Sequence, residues 1–174
     1  SFSKNTLTGN TKASIKGGNT PESKLELEIS GPVNITADRK GSMIAITAGL
    51  GVTVDRGTGA SLTAAGSVSL NEIDNTTEAM MSGVQDDSDP SSPDASADQY
   101  DLTVKATDTS KIFGLGGAVS IGLGGKSAAV GFSYVTNTIN NNSNAQVESV
   151  HLLHVKDMNV LASNIADIDA ITIS

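Results

Sequence analysis

Cysteine and tryptophan are absent from this chain, and aromatic residues make up only 3% of it. Without thiols there is no disulfide framework and no thiolate metal site. With so few rings, a core must be assembled from Val, Ile, Leu and Ala, and no aromatic platform exists on which nucleic-acid bases could stack. Basic residues are the minority sign: 11 Lys and Arg stand against 19 Asp and Glu, for a formal net charge of −8. An acidic surface repels phosphate backbones, so nucleic acid is not expected as a partner. Proline is scarce, with 4 residues against 18 glycines, which argues against a Pro-rich disordered tail and against collagen. Long apolar runs are missing too. None approaches the roughly 20 residues that a membrane-spanning helix requires, so no membrane-spanning segment is expected. No secretion signal opens the chain, and Ile171-Thr172-Ile173-Ser174 stops in mid-strand pattern. A segment cut from a longer protein is the expectation.

What the sequence does contain is a repeat. Asn137-Thr138-Ile139, with Ala145 eight positions after Asn137, recurs as Asn71-Glu72-Ile73 with Ala79 and as Asn5-Thr6-Leu7 with Ala13. The interval from Asn5 to Asn71 equals that from Asn71 to Asn137. A fixed period predicts a repeat architecture before local propensity does. The chain divides into repeat 1 over 1–66, repeat 2 over 67–132 and a partial repeat 3 over 133–174, all within one segment, 1–174. Asn5, Asn71 and Asn137 are candidate stacking or corner positions, where side-chain amides of successive coils can satisfy one another. Leu7, Ile73 and Ile139, with Ala13, Ala79 and Ala145, are candidate core positions. Variable loops are expected at 16–24 and 82–100.

Local patterning is β almost throughout. Leu115, Gly117, Val119, Ile121 and Leu123 occupy every second position with Gly114, Gly116, Ala118, Ser120 and Gly122 between them. Period 2 places the bulky set on one face and the small set on the other. A strand face of Gly, Ala and Ser implies the close approach of another backbone. Polar clusters at Asp38-Arg39-Lys40-Gly41, Thr107-Asp108-Thr109-Ser110 and Ser163-Asn164 read as turns. On this reading the chain is all-β, a stacked β-solenoid or a thin sandwich built of roughly 66-residue repeats, each repeat making about three coils of roughly 22 residues. A β-rich filament subunit or stalk is the alternative architecture.

The string Val135-Thr136-Asn137-Thr138-Ile139-Asn140-Asn141, then Ala145-Gln146-Val147, preceded by the Gly- and Ala-rich run 114–131, resembles repeats of large secreted surface proteins of Gram-negative bacteria. These are the filamentous-haemagglutinin-like adhesins and leukotoxin-type exoproteins. The resemblance implies an extracellular or cell-surface location, a right-handed parallel β-helix and a structural or adhesive role. It supplies no catalytic residues. Expected partners are neighbouring repeats of the same protein, self-assembly into fibres, and a host or cell-surface glycan or protein receptor.

Chemistry-bearing clusters are few. Asp86, Asp87, Asp89 and Asp94 lie in the long acidic loop and offer oxygens of the kind calcium takes, six to eight at a time. The EF-hand spacing is absent, and the Pro and Ser content suits a solvated loop. No cofactor other than calcium is suggested. His151 and His154 are three apart, which on a strand places them on opposite faces and disfavours a shared metal. Glu26, Glu28, Glu72 and Glu78 form no distinctive pair of the kind that glycoside cleavage needs, so no enzyme is expected. A carbohydrate-binding or carbohydrate-cleaving β-helix and a calcium-dependent adhesion module remain the alternative functions.

Overall fold

The computed structural model describes residues 1–57, 59–86, 99–124 and 126–174. Its strands are β1 (Phe2–Lys16), β2 (Leu25–Leu27), β3 (Val33–Val54), β4 (Ser61–Ser82), β5 (Val84–Asp86), β6 (Tyr100–Leu123), β7 (Ser127–Glu148) and β8 (Val155–Ile173), with one 3-10 turn at Pro21–Ser23. Every pairing is parallel. Two long sheets, β1-β4-β7 and β3-β6-β8, are joined at one end by the short sheet β2-β5. The chain visits first long sheet, short sheet and second long sheet in turn, then returns to the first. A third visit to the short side is marked by the bridge between Gln85 and His151.

The register fixes the length of each circuit. Asn5 lies beside Asn71 and Asn71 beside Asn137. The partner of each residue in the first sheet is therefore 66 positions away, as it is for the side-chain pairs Asn5–Asn71 and Ser67–Ser133. The short coil expected above, about a third of a repeat, is corrected: one whole repeat makes a single circuit. The reason is strand length. β3, β4 and β7 each run 22 residues without a break, about 70 Å of extended chain at ~3.3 Å per residue.

The three polar clusters that read as turns lie within strands. Asp38–Gly41 is inside β3, Thr107–Ser110 inside β6 and Ser163-Asn164 inside β8. Arg39, Asp108 and Asn164 stand side by side across the second sheet, and their side chains meet polar partners from the first. Asp108 is fully buried. It accepts hydrogen bonds from Ser110 Oγ at 2.7 Å, Thr77 Oγ1 at 3.4 Å and Asn141 Nδ2. Arg39 Nε lies 4.0 Å from it. Gly9 makes room, because a Cβ there would overlap the Arg39 guanidinium. What looks like punctuation in sequence is a polar layer of the interior.

The asparagines also sit in straight strand rather than at corners. Asn5 Nδ2 donates to Asn71 Oδ1 at 2.8 Å, and Asn71 Nδ2 donates to Asn137 Oδ1 at 2.8 Å. Asn71 takes from the circuit before and gives to the circuit after, and Asn137 Nδ2 donates across to the Asp169 carbonyl at 3.1 Å, so these polar groups satisfy one another. The corners are made elsewhere. Gly83 and Ser149 have φ of 63° and 53° and occupy the same place in successive circuits, where the first sheet gives way to the short side.

The apolar core fills the broad end, where the three sheets converge. Ala79, Met81, Val84, Tyr100, Leu102, Val104 and Ala106 are buried together there, with Ile15, Val147 and Leu152 packed against them. Toward the opposite, narrow end the two long sheets close to backbone contact. A Cβ on Gly49 would collide with the carbonyl of Gly66, and one on Gly131 with that of Ala118. The inward rows there are Gly, Ala, Ser and Thr, and the bulky residues point outward. Ile44, Ile46, Leu50, Leu62, Val130 and Phe132 are all more than half exposed.

Candidate functional site

Asp86, the first candidate calcium ligand, closes β5 on the short side of the broad end. The Asp86 carboxylate is nearly buried and accepts from the backbone N–H of Leu153, at 3.0 and 2.9 Å to its two oxygens, and of His154 at 3.1 Å. Tyr100 Oη donates to it at 3.3 Å, and His154 Nδ1 stands 3.7 Å away. Carboxylates bonded by backbone amides are held firmly, since charge-assisted bonds are shorter and stronger than neutral ones. Asp86 and Tyr100 thus bracket the segment between them and tie its two ends to the third circuit. Burial, then the neighbouring Asp86 charge and the hydrogen bond to it, push the Tyr100 phenol up to about 12.

This places Asp86 in a structural latch. The other candidate calcium ligands, Asp87, Asp89 and Asp94, lie outside the described residues. Among the described residues no group of three or more His, Cys, Asp or Glu is arranged to hold a metal ion. His151 continues the short sheet through its bridge to Gln85, whereas His154 turns toward Asp86.

The glutamates are dispersed. Glu26 Oε1 accepts from Gln85 Nε2 at 2.8 Å on the short sheet. Glu78 pairs with Lys12 at 2.6 Å on the outer face of the first sheet. Glu72, on the same face, accepts from Asn140 at 3.4 Å. Glu72 and Glu78 are separated by about 20 Å along one strand at ~3.3 Å per residue, too far to share one scissile bond.

Two features of the outer surface remain. One is a shallow depression of about 230 Å³ on the first sheet, lined by Lys4, Leu70, Glu72, Thr136 and Thr138 and floored by Asn5 and Asn71. It lies at the boundary between the charged and apolar parts of that face. The other is the apolar surface of the narrow end, which covers the outside of both long sheets. Period-2 alternation reveals both rows of each strand in the sequence, but which row faces inward depends on the opposing sheet, and that is why the outward apolar row escaped sequence reasoning. No helix among the described residues is long and apolar enough to cross a membrane. No family model matches the chain, and neither curated proteins nor solved structures yield a match.

Proposed function

We propose that the chain is an extracellular structural and adhesive segment of a large repetitive surface protein, folded as a right-handed parallel β-helix. The observation that carries this reading is the side-chain ladder Asn5–Asn71–Asn137 in unbroken parallel register. The effect of the ladder is to hold identical circuits in line, so that circuits can be added without changing the joint between them. The acidic surface and the lack of cysteine suit an exported filament.

The geometry also favours a surface that presents over one that merely spaces. Each circuit advances the stack by only about 4.8 Å, yet its long strands are about 70 Å across. A plain spacer would gain more length per residue from short coils. A chain that invests a whole repeat in each step builds wide lateral faces, and a glycan or protein receptor on a cell surface is the partner such faces suit. The test is an array of cell-surface glycans and polysaccharides probed with the purified chain. Retention on a subset without any cleavage supports the reading. Release of sugar fragments overturns it in favour of a carbohydrate-cleaving β-helix.

A further inference from the structure

We propose that the narrow end is a lipid-engaging blade whose two outer faces enter the hydrocarbon layer of a membrane. Its interior is small and closed, and its apolar side chains point outward on both sheets. On one sheet Ile44, Leu50 and Val52 are 72%, 75% and 56% exposed; on the other Leu62, Val130 and Phe132 are 70%, 56% and 56% exposed. The outward rows of β3, β4, β6 and β7 carry no charge between their two limits, where charge gathers; at the base Asp169 of β8 lies beside Phe113, itself the neighbour of Ile44. Lys4, Glu72 and Lys111, the last bonded to Asp167 at 2.7 Å, stand at the base, and Asp55, Arg56 and Lys126 stand in the turns at the tip.

The height of the band decides what covers it. From Ile44 to Val54 the outward row spans about 33 Å at ~3.3 Å per residue, close to the ~30 Å of a bilayer's hydrocarbon core. A second copy is the weaker occupant. A protein seated on one face would leave the opposite face in water, whereas acyl chains cover both at once. Polar residues at each limit of the band then meet the two headgroup layers, and Tyr134 and Phe113 lie near the base, where aromatic rings favour the interface.

Hydrocarbon does not tolerate unpaired backbone, so the blade's edge strands, β3, β4 and β7 with β6 at the tip and β8 toward the base, must be continued by adjacent circuits or copies. Insertion is therefore cooperative, and the bound fraction rises more steeply than protein concentration. This inference stands apart from the receptor-binding reading, because its probe is lipid without protein or sugar.

The experiment uses the full chain and phosphatidylcholine vesicles, whose neutral headgroups give an acidic protein no electrostatic attraction. Flotation with the vesicles is expected, undiminished in about 0.5 M salt, where surface charges are strongly screened. The double variant Val52→Asp, Val130→Asp should lose at least about tenfold in bound fraction, consistent with the cost of charge on a lipid face, while keeping its circular dichroism. In separate single variants, Phe132→Trp should be quenched by lipids brominated on the acyl chain and Asn10→Trp, on the outer face away from the blade, should not. A chain that stays unbound, a double variant that floats like the parent, or equal quenching at both positions overturns the proposal. The quenching pair decides the matter if the double variant fails to fold.

Discussion

The two ends of this molecule solve the same problem in opposite ways. At the broad end Leu102, Val104, Met81 and Val84 are fully buried while Lys12 and Glu78 face water. At the narrow end Thr47, Thr63 and Ser67 are buried while Leu50, Ile46 and Leu62 are exposed. The same strands run through both. β3 carries Ile35 inward and Leu50 outward, and the side chains keep strict alternation across the change. What changes is therefore the sequence content of the two rows, and with it the spacing of the sheets. Bulky inward residues need a third side to enclose them, and the short sheet supplies it. Glycine and serine need none, and there the long sheets meet backbone to backbone. Between the two lies the polar layer of Arg39, Asp108, Asn75 and Asn141.

That layer should be the most sensitive point. Asp108→Ala leaves Arg39 without its buried carboxylate and should cost about 3–5 kcal/mol, the range for breaking a buried ion pair from one side. Urea unfolding at neutral pH measures it, and a loss below about 1 kcal/mol would mean that the layer is hydrated. Next comes a direct contrast of the two ends. Leu102→Ala should cost about 2–5 kcal/mol, as a buried truncation does. Leu50→Ala should change stability by no more than about 0.5 kcal/mol, as an exposed one does. Equal effects would mean that the exposed row is covered within the folded chain.

The narrow end should respond to added volume rather than lost volume. Gly49→Val places side-chain atoms against the Gly66 carbonyl and should destabilise by about 1–3 kcal/mol through overpacking, measured again by urea. The smallest effect is confined to alkaline pH. The Tyr100 phenol has its pKa raised to about 12 in the folded state, above the ~10 of an unfolded chain. Its contribution is thus complete below about pH 10 and is lost as pH rises toward about 12. Unfolding midpoints taken from about pH 9 to 12 should fall more steeply for the parent than for Tyr100→Phe.

The sequence displays the period, the all-β character and the alternation of β6 openly, because each can be read from the spacing of residues along the chain; the parallel pairing is implied only by the resemblance. Leu115 and Gly116 announce two faces whatever lies opposite them. The length of the circuit is not local. Asp38–Gly41 and Thr107–Ser110 carry the residues of turns, and only an opposing row with Gly9, Thr77 and Asn141 makes them tolerable inside a strand. Treating them as turns is what divides one repeat into three coils. Direction of facing is hidden for the same reason. The rule that apolar rows point inward holds at Leu102 and fails at Leu50, and the two segments look alike until the Gly49–Gly66 contact is known. Of the candidate site, Asp86 was visible as an acidic residue, but its bonds to Leu153 and His154 depend on the circuit's return to the short side.

The one-repeat circuit is the claim on which the rest depends, and the absence of native cysteine makes it directly testable by cross-linking. Asp74 lies beside Asn140 in the first sheet, both on the outer face. A double variant Asp74→Cys, Asn140→Cys should form an intramolecular disulfide under mild oxidation, because neighbouring strands bring Cα atoms within the roughly 4.4–6.8 Å that the bond needs. Asp74→Cys with Val52→Cys, which a three-coil repeat would set side by side, lie on opposite sheets and should remain reduced. A disulfide in the second pair and none in the first would contradict the account.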